Sequence, residues 1–138
     1  MRIFAKVFVM LFSVSLFFYP TWPAFGASGE VPRITIESLK KMMDDKEDVL
    51  IIDVQPRGVY EKGHIKGAVS LPWTPELTEA QVAALPRHKP VVVYCGCGPG
   101  EEDSASVGAR LIELGFSDVK VLADPSIGGW KQAGYPME

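Results

Sequence analysis

Two thiols one residue apart stand in the glycine-rich run Cys95-Gly96-Cys97-Gly98-Pro99-Gly100, which joins the apolar stretch Val91-Val92-Val93-Tyr94 to a helical pattern beginning near Ser104. The β-branched stretch predicts a short strand buried on both faces. The glycines let backbone N–H groups turn inward around a sulfur, and the following helix aims its positive end at the same place. Both effects favour an anion, so the turn is suited to presenting Cys95 as a thiolate nucleophile. Gly96, Cys97, Gly98, Gly100, Glu101 and Glu102 would form the loop around that anion.

Cys97 has three open readings. It is a resolving thiol that attacks a modified Cys95 and closes a disulfide, a second station for the same chemistry, or a small residue in a tolerant loop. A Cys95–Cys97 bridge would close a very small ring, for which strain is expected. The two are the only cysteines of the chain, so no disulfide framework is built from them. With only His64 and His88 besides, both far from the thiols in sequence, no metal site is expected.

The elements that must position this turn read as strands alternating with helices. Strands are expected at Ile34-Thr35-Ile36, Val49–Asp53, Ala68–Leu71, Val91–Tyr94 and Val119–Leu122. Helical segments are expected from a cap at Thr35 or its neighbour to about Asp44, near Arg57–Lys62, from a cap at Thr78 to about Leu85, and over Ser104–Leu114 with Gly115 as the stop. Such alternation predicts an α/β fold around a mostly parallel five-stranded sheet. Sites in such sheets lie at the C-terminal ends of strands, where Asp53 and Cys95 fall.

Residues 1–26 differ in kind from the rest. Arg2 and Lys6 precede an apolar run from Val7 to Phe18, then Pro20, Pro23 and the small residues Ala24, Gly26 and Ala27. This is the pattern of a signal peptide, with cleavage expected after Gly26 or Ala27. An uncleaved anchor is the alternative, and either way the domain is expected to be exported to a periplasmic or extracytoplasmic location, with membrane proximity only through that segment. Residues 27–32 would be a short linker and 33–138 one domain, with no room for a second. Removing residues 1–26 takes two basic residues and no acid, leaving 12 basic against 17 acidic residues and a net charge of −5. Nucleic acid is not an expected partner at that charge.

With Asp53-Val54, Tyr60, Gly63-His64-Ile65-Lys66-Gly67-Ala68, Tyr94-Cys95, Gly115-Phe116, Gly128-Gly129-Trp130 and Ala133-Gly134-Tyr135-Pro136 in this order, the chain resembles a single-domain rhodanese, a sulfurtransferase. The resemblance covers essentially all of residues 32–138. It implies a three-layer α/β/α sandwich and a cysteine, here Cys95, that accepts a sulfane sulfur as a persulfide and passes it to a nucleophilic acceptor. Thiosulfate would be a typical donor, a thiol or other thiophile the acceptor, and no cofactor is implied; a monomer is expected. Asp53, His64 and Asp103 would support the site, with His64 read chiefly as a turn-locking residue.

Several residues depart from the family. Its loops are shorter and often carry an arginine for the anionic donor, whereas counting back from Gly115-Phe116 puts Asp103 at that place. Glu101-Glu102-Asp103 would then sit beside the sulfur, each acid repelling a unit charge at ~6 Å by about 1–3 kcal/mol, unless the carboxylates point away. The arginine often found after Asp-Val is Gln55, and the acid before the aromatic is Val59. Two other functions stay open beside sulfur transfer: a thiol-redox protein cycling a Cys95–Cys97 disulfide, and a persulfide carrier or binding module without turnover. A phosphatase or arsenate reductase on related loop geometry would want an arginine in the loop, and this loop has none.

Overall fold

The computed structural model describes residues 29–138; the expected leader at 1–26 lies outside them. Five strands form one sheet: β1 (Arg33–Ile34), β2 (Leu50–Asp53), β3 (Val69–Ser70), β4 (Pro90–Tyr94) and β5 (Asp118–Leu122), in the order β1-β5-β4-β2-β3. Every pairing in the sheet is parallel. The helices are α1 (Ile36–Asp44), α2 (Arg57–Tyr60), α3 (Glu79–Val82), α4 (Glu102–Glu113) and α5 (Ser126–Gln132).

Strand alternation divides the interior into two cores. Val91, Val93 and Cys95 point into one, with Ile52, Val107 and Leu111 of the α4 side. Val92 and Tyr94 point into the other, with Leu39 of α1 and Ile127 and Trp130 of α5. This two-sided burial explains the unbroken apolar run of β4. It also decides that the sulfur lies on the α4 face and the phenol on the opposite one.

Local chemistry sets several helix ends. Thr35 caps α1, its hydroxyl accepting from the Ser38 N–H at 3.2 Å. The Thr78 N–H donates to Gln81 Oε1 at 2.9 Å, half of a capping box at the start of α3. Gly115, at φ 90°, supplies the left-handed residue that ends α4. Three expectations need correction. The strand expected at Ile34-Thr35-Ile36 is Arg33–Ile34, because Thr35 caps α1 and Ile36 begins it. The helix from Thr78 stops at Val82 instead of near Leu85, the chain tightening into a turn in which the Leu85 N–H bonds the Val82 carbonyl at 2.9 Å before Pro86 bars further helix. The segment Ser126–Gln132, with two glycines and no helical expectation, forms α5; burial of Trp130 and Ile127 overrides poor propensity.

Candidate active site

The chain leaves β2 toward β3 on one side of the sheet and leaves β4 toward β5 on the other. Opposite departures from adjacent strands open a crevice at their C-terminal ends. There an open cleft of about 330 Å³ is lined by Gln55, Pro56 and Val59 on the β2 side and Cys95, Gly96, Cys97 and Asp103 on the β4 side. A larger groove, about 550 Å³, runs between residues 74–79 and the outer side of α4 but contains neither thiol.

Cys95 forms the floor of the cleft and is 2% exposed, whereas Cys97 is exposed. The Cys97 N–H points at Cys95 Sγ from 3.3 Å. Ser104, fully buried in the first turn of α4, places its hydroxyl 3.5 Å from the same sulfur and 3.0 Å from the Glu101 carbonyl. That hydroxyl has one proton, so it serves the sulfur or the carbonyl. The Cys95 carbonyl accepts from Ser126 Oγ at 2.9 Å, which fixes the strand end from the α5 side. The two sulfurs are joined as a disulfide, with Cα atoms 5.4 Å apart, inside the range that bridged cysteines span.

Asp53 does not line the cleft. It is fully buried on the α1/α5 face, directly across the strand pair from Tyr94. Its carboxylate accepts from the Tyr94 hydroxyl at 2.7 Å, the Gln55 N–H at 2.8 Å and Gln55 Nε2 at 3.1 Å. The Tyr94 oxygen in turn accepts from the Ile65 N–H at 3.1 Å. Tyr94 thus links the Asp53 carboxylate to the backbone just after Gly63-His64. Burial, then the Asp53 hydrogen bond, pushes the Tyr94 phenol well above its ordinary range. Asp53 reaches the cleft only through Gln55, whose Oε1 lies 2.6 Å from where a side chain at Gly96 would begin.

The acidic trio does not act as a block. Glu101 adopts a left-handed conformation, φ 47°, and turns its carboxylate away from the sulfur. It accepts from Arg33 Nε at 2.9 Å and from the Asp124 N–H at 2.6 Å. Glu102 is exposed, and Asp103 alone of the three lines the cleft. Gly98 and Gly100, at φ 82° and 94°, turn the loop, with the Glu101 N–H closing back on the Gly98 carbonyl at 3.2 Å. Among the described residues only the Cys97 amide donates to the sulfur, where several loop amides were expected. His64 stacks on Tyr60 at 3.7 Å, with Nδ1 3.0 Å from the Tyr60 carbonyl and Nε2 3.5 Å from Glu138. It supports the turn before β3 and does not line the cleft.

Three supporting residues escaped the sequence reading. Ser104 carried a weak signal as a hydroxyl in the first turn after the thiol loop. Arg33 and Ser126 carried none, because both reach the loop from distant segments. No group of three or more His, Cys, Asp and Glu side chains is placed for a metal, and no helix is long and apolar enough to cross a membrane, among the described residues.

Residues 35–133 match the family model described as Rhodanese-like domain. The uncharacterized protein YibN of Escherichia coli strain K12 is 33% identical over 95 residues, 67% of this chain and 63% of that protein; the chain thus spans under two thirds of that relative's length. A sulfurtransferase of Allochromatium vinosum is 30% identical over 107 residues, 78% of this chain and 94% of that protein. The thiosulfate sulfurtransferase GlpE of Coxiella burnetii strain RSA 493 is 38% identical over 86 residues, 62% of this chain and 72% of that one. Among solved structures, the BH2092 protein from Bacillus halodurans superposes with a TM-score of 0.70 at 25% identity, covering 78% of this chain and 76% of that one. The rhodanese-like domain of the Anabaena Alr3790 protein gives 0.66 at 29% identity, with 78% of each chain covered.

Proposed function

The chain belongs to the rhodanese-like domain family, and from that premise we propose that it is a sulfurtransferase whose Cys95 carries a sulfane sulfur as a persulfide between a small donor and a thiophilic acceptor. The observation that carries this reading is the buried Cys95 sulfur at the floor of an open cleft, met by the Cys97 N–H and the Ser104 hydroxyl. Both donors favour the thiolate over the thiol. Pro56 and Val59 give the cleft an apolar wall, and Gln55 gives it a neutral polar one.

In the forward half-reaction the Cys95 thiolate attacks the outer sulfur of thiosulfate. A Cys95 S–S bond forms, the thiosulfate S–S bond breaks, and sulfite leaves with the electron pair. In the second half an acceptor thiolate attacks the outer sulfur and Cys95 departs as thiolate, restored for another cycle. The Cys97 amide and Ser104 hydroxyl sit where they stabilise that leaving thiolate in both directions. The basic start and apolar run of residues 1–26 support an exported domain acting outside the cytoplasm.

The test is the intact mass of reduced protein after brief exposure to thiosulfate, with Cys95→Ser alongside and released sulfite measured. Wild type is expected to gain one sulfur atom with matching sulfite, and Cys95→Ser to gain none. Equal sulfur on both, or sulfite release that survives Cys95→Ser, would overturn Cys95 as the carrier.

A further inference from the structure

The cleft holds a second sulfur that the transfer cycle above does not use. Cys97 is exposed, its Cα lies 5.4 Å from that of Cys95, and its Sγ is seated on Cys95 Sγ itself. The atom reached is therefore the one that becomes the inner sulfur of a Cys95 persulfide. Attack on the inner sulfur expels sulfide, whereas attack on the outer one would merely move the persulfide to Cys97.

We propose that Cys97 is a resolving thiol that converts the bound sulfane sulfur to sulfide, giving the protein a dithiol-dependent persulfide-reducing activity. The proposal rests on Cys95 being the persulfide carrier. In the step, the Cys97 thiolate attacks Cys95 Sγ, a Cys95–Cys97 bond forms, and the bond to the outer sulfur breaks. The outer sulfur leaves as hydrosulfide with the electron pair, so it is reduced by two electrons while the two cysteines are oxidised to the disulfide.

The pair is asymmetric in a way that sets the direction of its re-reduction. Cys97 faces solvent, whereas Cys95 is buried under the Cys97 N–H and Ser104 hydroxyl. An external dithiol reductant attacks the accessible Cys97 sulfur, and the better stabilised thiolate, Cys95, leaves. A second thiolate of the same reductant then resolves the mixed disulfide at Cys97. Cys95 is free for a new donor before Cys97 is released.

The experiment follows intact mass and free sulfide over time in the reduced full chain, desalted and loaded with thiosulfate or, in parallel, with glutathione persulfide. Wild type and Cys97→Ser are compared, and the loading of each is read from its own spectra. Wild type is expected to gain one sulfur, then to end two hydrogens below its reduced mass with stoichiometric sulfide released and no thiol added. Its persulfide lifetime is expected to be at least about ten-fold shorter than that of Cys97→Ser, the advantage of a thiol held in place. Equal persulfide lifetimes with the sulfur on Cys95 would overturn the proposal and leave Cys95 transfer standing, whereas sulfur located on Cys97 by fragmentation, or a Cys97→Ser chain that never loads while wild type does, would overturn it together with Cys95 as the carrier. If neither form gains sulfur from either donor, the proposal falls together with the transfer reading.

Discussion

Replacing Tyr94 with phenylalanine tests whether the polar chain beneath the thiol loop holds β2, β4 and the turn before β3 together. The hydroxyl donates to Asp53 at 2.7 Å and accepts from the Ile65 N–H at 3.1 Å, in a fully buried place. Removing a hydrogen bond to a charged acceptor costs about 1.5–3 kcal/mol, and a stranded buried N–H about 1–3 kcal/mol. The combined loss of ~3–5 kcal/mol is a large part of a domain's usual ~5–15 kcal/mol. With a urea slope of about 1–3 kcal/mol per molar, the unfolding midpoint should fall by ~1–5 M at unchanged slope. The alkaline limb supplies an independent sign. The folded phenol is raised above the ordinary 10.0, so below about pH 10 both states are protonated and the stabilisation is complete. Above that, the unfolded phenol ionises first, the unfolded state holds fewer protons, and stability falls by about 1.4 kcal/mol per pH unit. Tyr94→Phe lacks that loss, so the gap between the two proteins should narrow above pH 10. A midpoint shift worth less than ~1 kcal/mol, or a gap that stays constant to pH 11, refutes the reasoning.

Three further substitutions probe the cleft and its support. Gly96→Ala places a Cβ 2.6 Å from Gln55 Oε1; it should lower kcat/KM for sulfur transfer about ten-fold through misplaced cleft walls, and Gln55→Ala added to it should restore most of the rate. Full activity in the single variant would show that Gln55 moves freely. Asp103→Asn should raise kcat/KM for thiosulfate by about 5- to 150-fold at low salt, the equivalent of ~1–3 kcal/mol of repulsion removed, with the gain shrinking as salt rises. No change at low salt would place the Asp103 charge away from the donor. Gly108→Val drives a side chain from α4 into Val31 and Val121, which a Cβ alone meets at 3.2 and 3.4 Å, and should cost ~2–3 kcal/mol in a denaturant titration; wild-type stability would mean that α4 has room to lift off the sheet.

The sheet and the thiol loop were legible because their signals are local. A β-branched run, a capping threonine and a glycine after the last helical turn each act within a few residues, and β2, β4, α1 and α4 fall where those signals put them. α5 was not legible, since Ser126-Ile127-Gly128-Gly129 has poor helix propensity and is held by Trp130 packing against β4 and α1. Gly129 explains why: a Cβ there would lie 2.3 Å from the Pro125 ring and 3.3 Å from Ile36, so close approach to Pro125 and α1 outweighs intrinsic preference. The same division runs through the site. Cys95, Gly96 and Cys97 declare themselves by type and spacing, whereas Ser126 and Arg33 matter only because the fold brings residues 31 and 68 positions away in sequence onto the loop.

The charge of the loop changes meaning between sequence and structure. Read linearly, Glu101-Glu102-Asp103 sets three negative charges beside a sulfur that, on the proposed function, would receive an anionic donor. In the fold, the left-handed turn at Glu101 sends its carboxylate to Arg33 and the Asp124 amide, and Glu102 goes to solvent. One acid, Asp103, remains on the cleft wall. The Glu101–Arg33 pair thus ties the end of the loop to the start of β1 without presenting its charge to the donor. Among the described residues no cation lines the cleft in place of the arginine that the family resemblance leads one to expect at position 103, and Arg33 is committed to Glu101. A doubly charged donor would therefore meet one uncompensated repulsion, about 1–3 kcal/mol per unit charge at ~6 Å, which is expected to slow thiosulfate without barring it. The same charge weighs less on a singly charged thiol persulfide, so kcat/KM for sulfur transfer is predicted to be higher with such a donor than with thiosulfate, and a ratio that does not shift toward thiosulfate in Asp103→Asn would refute this.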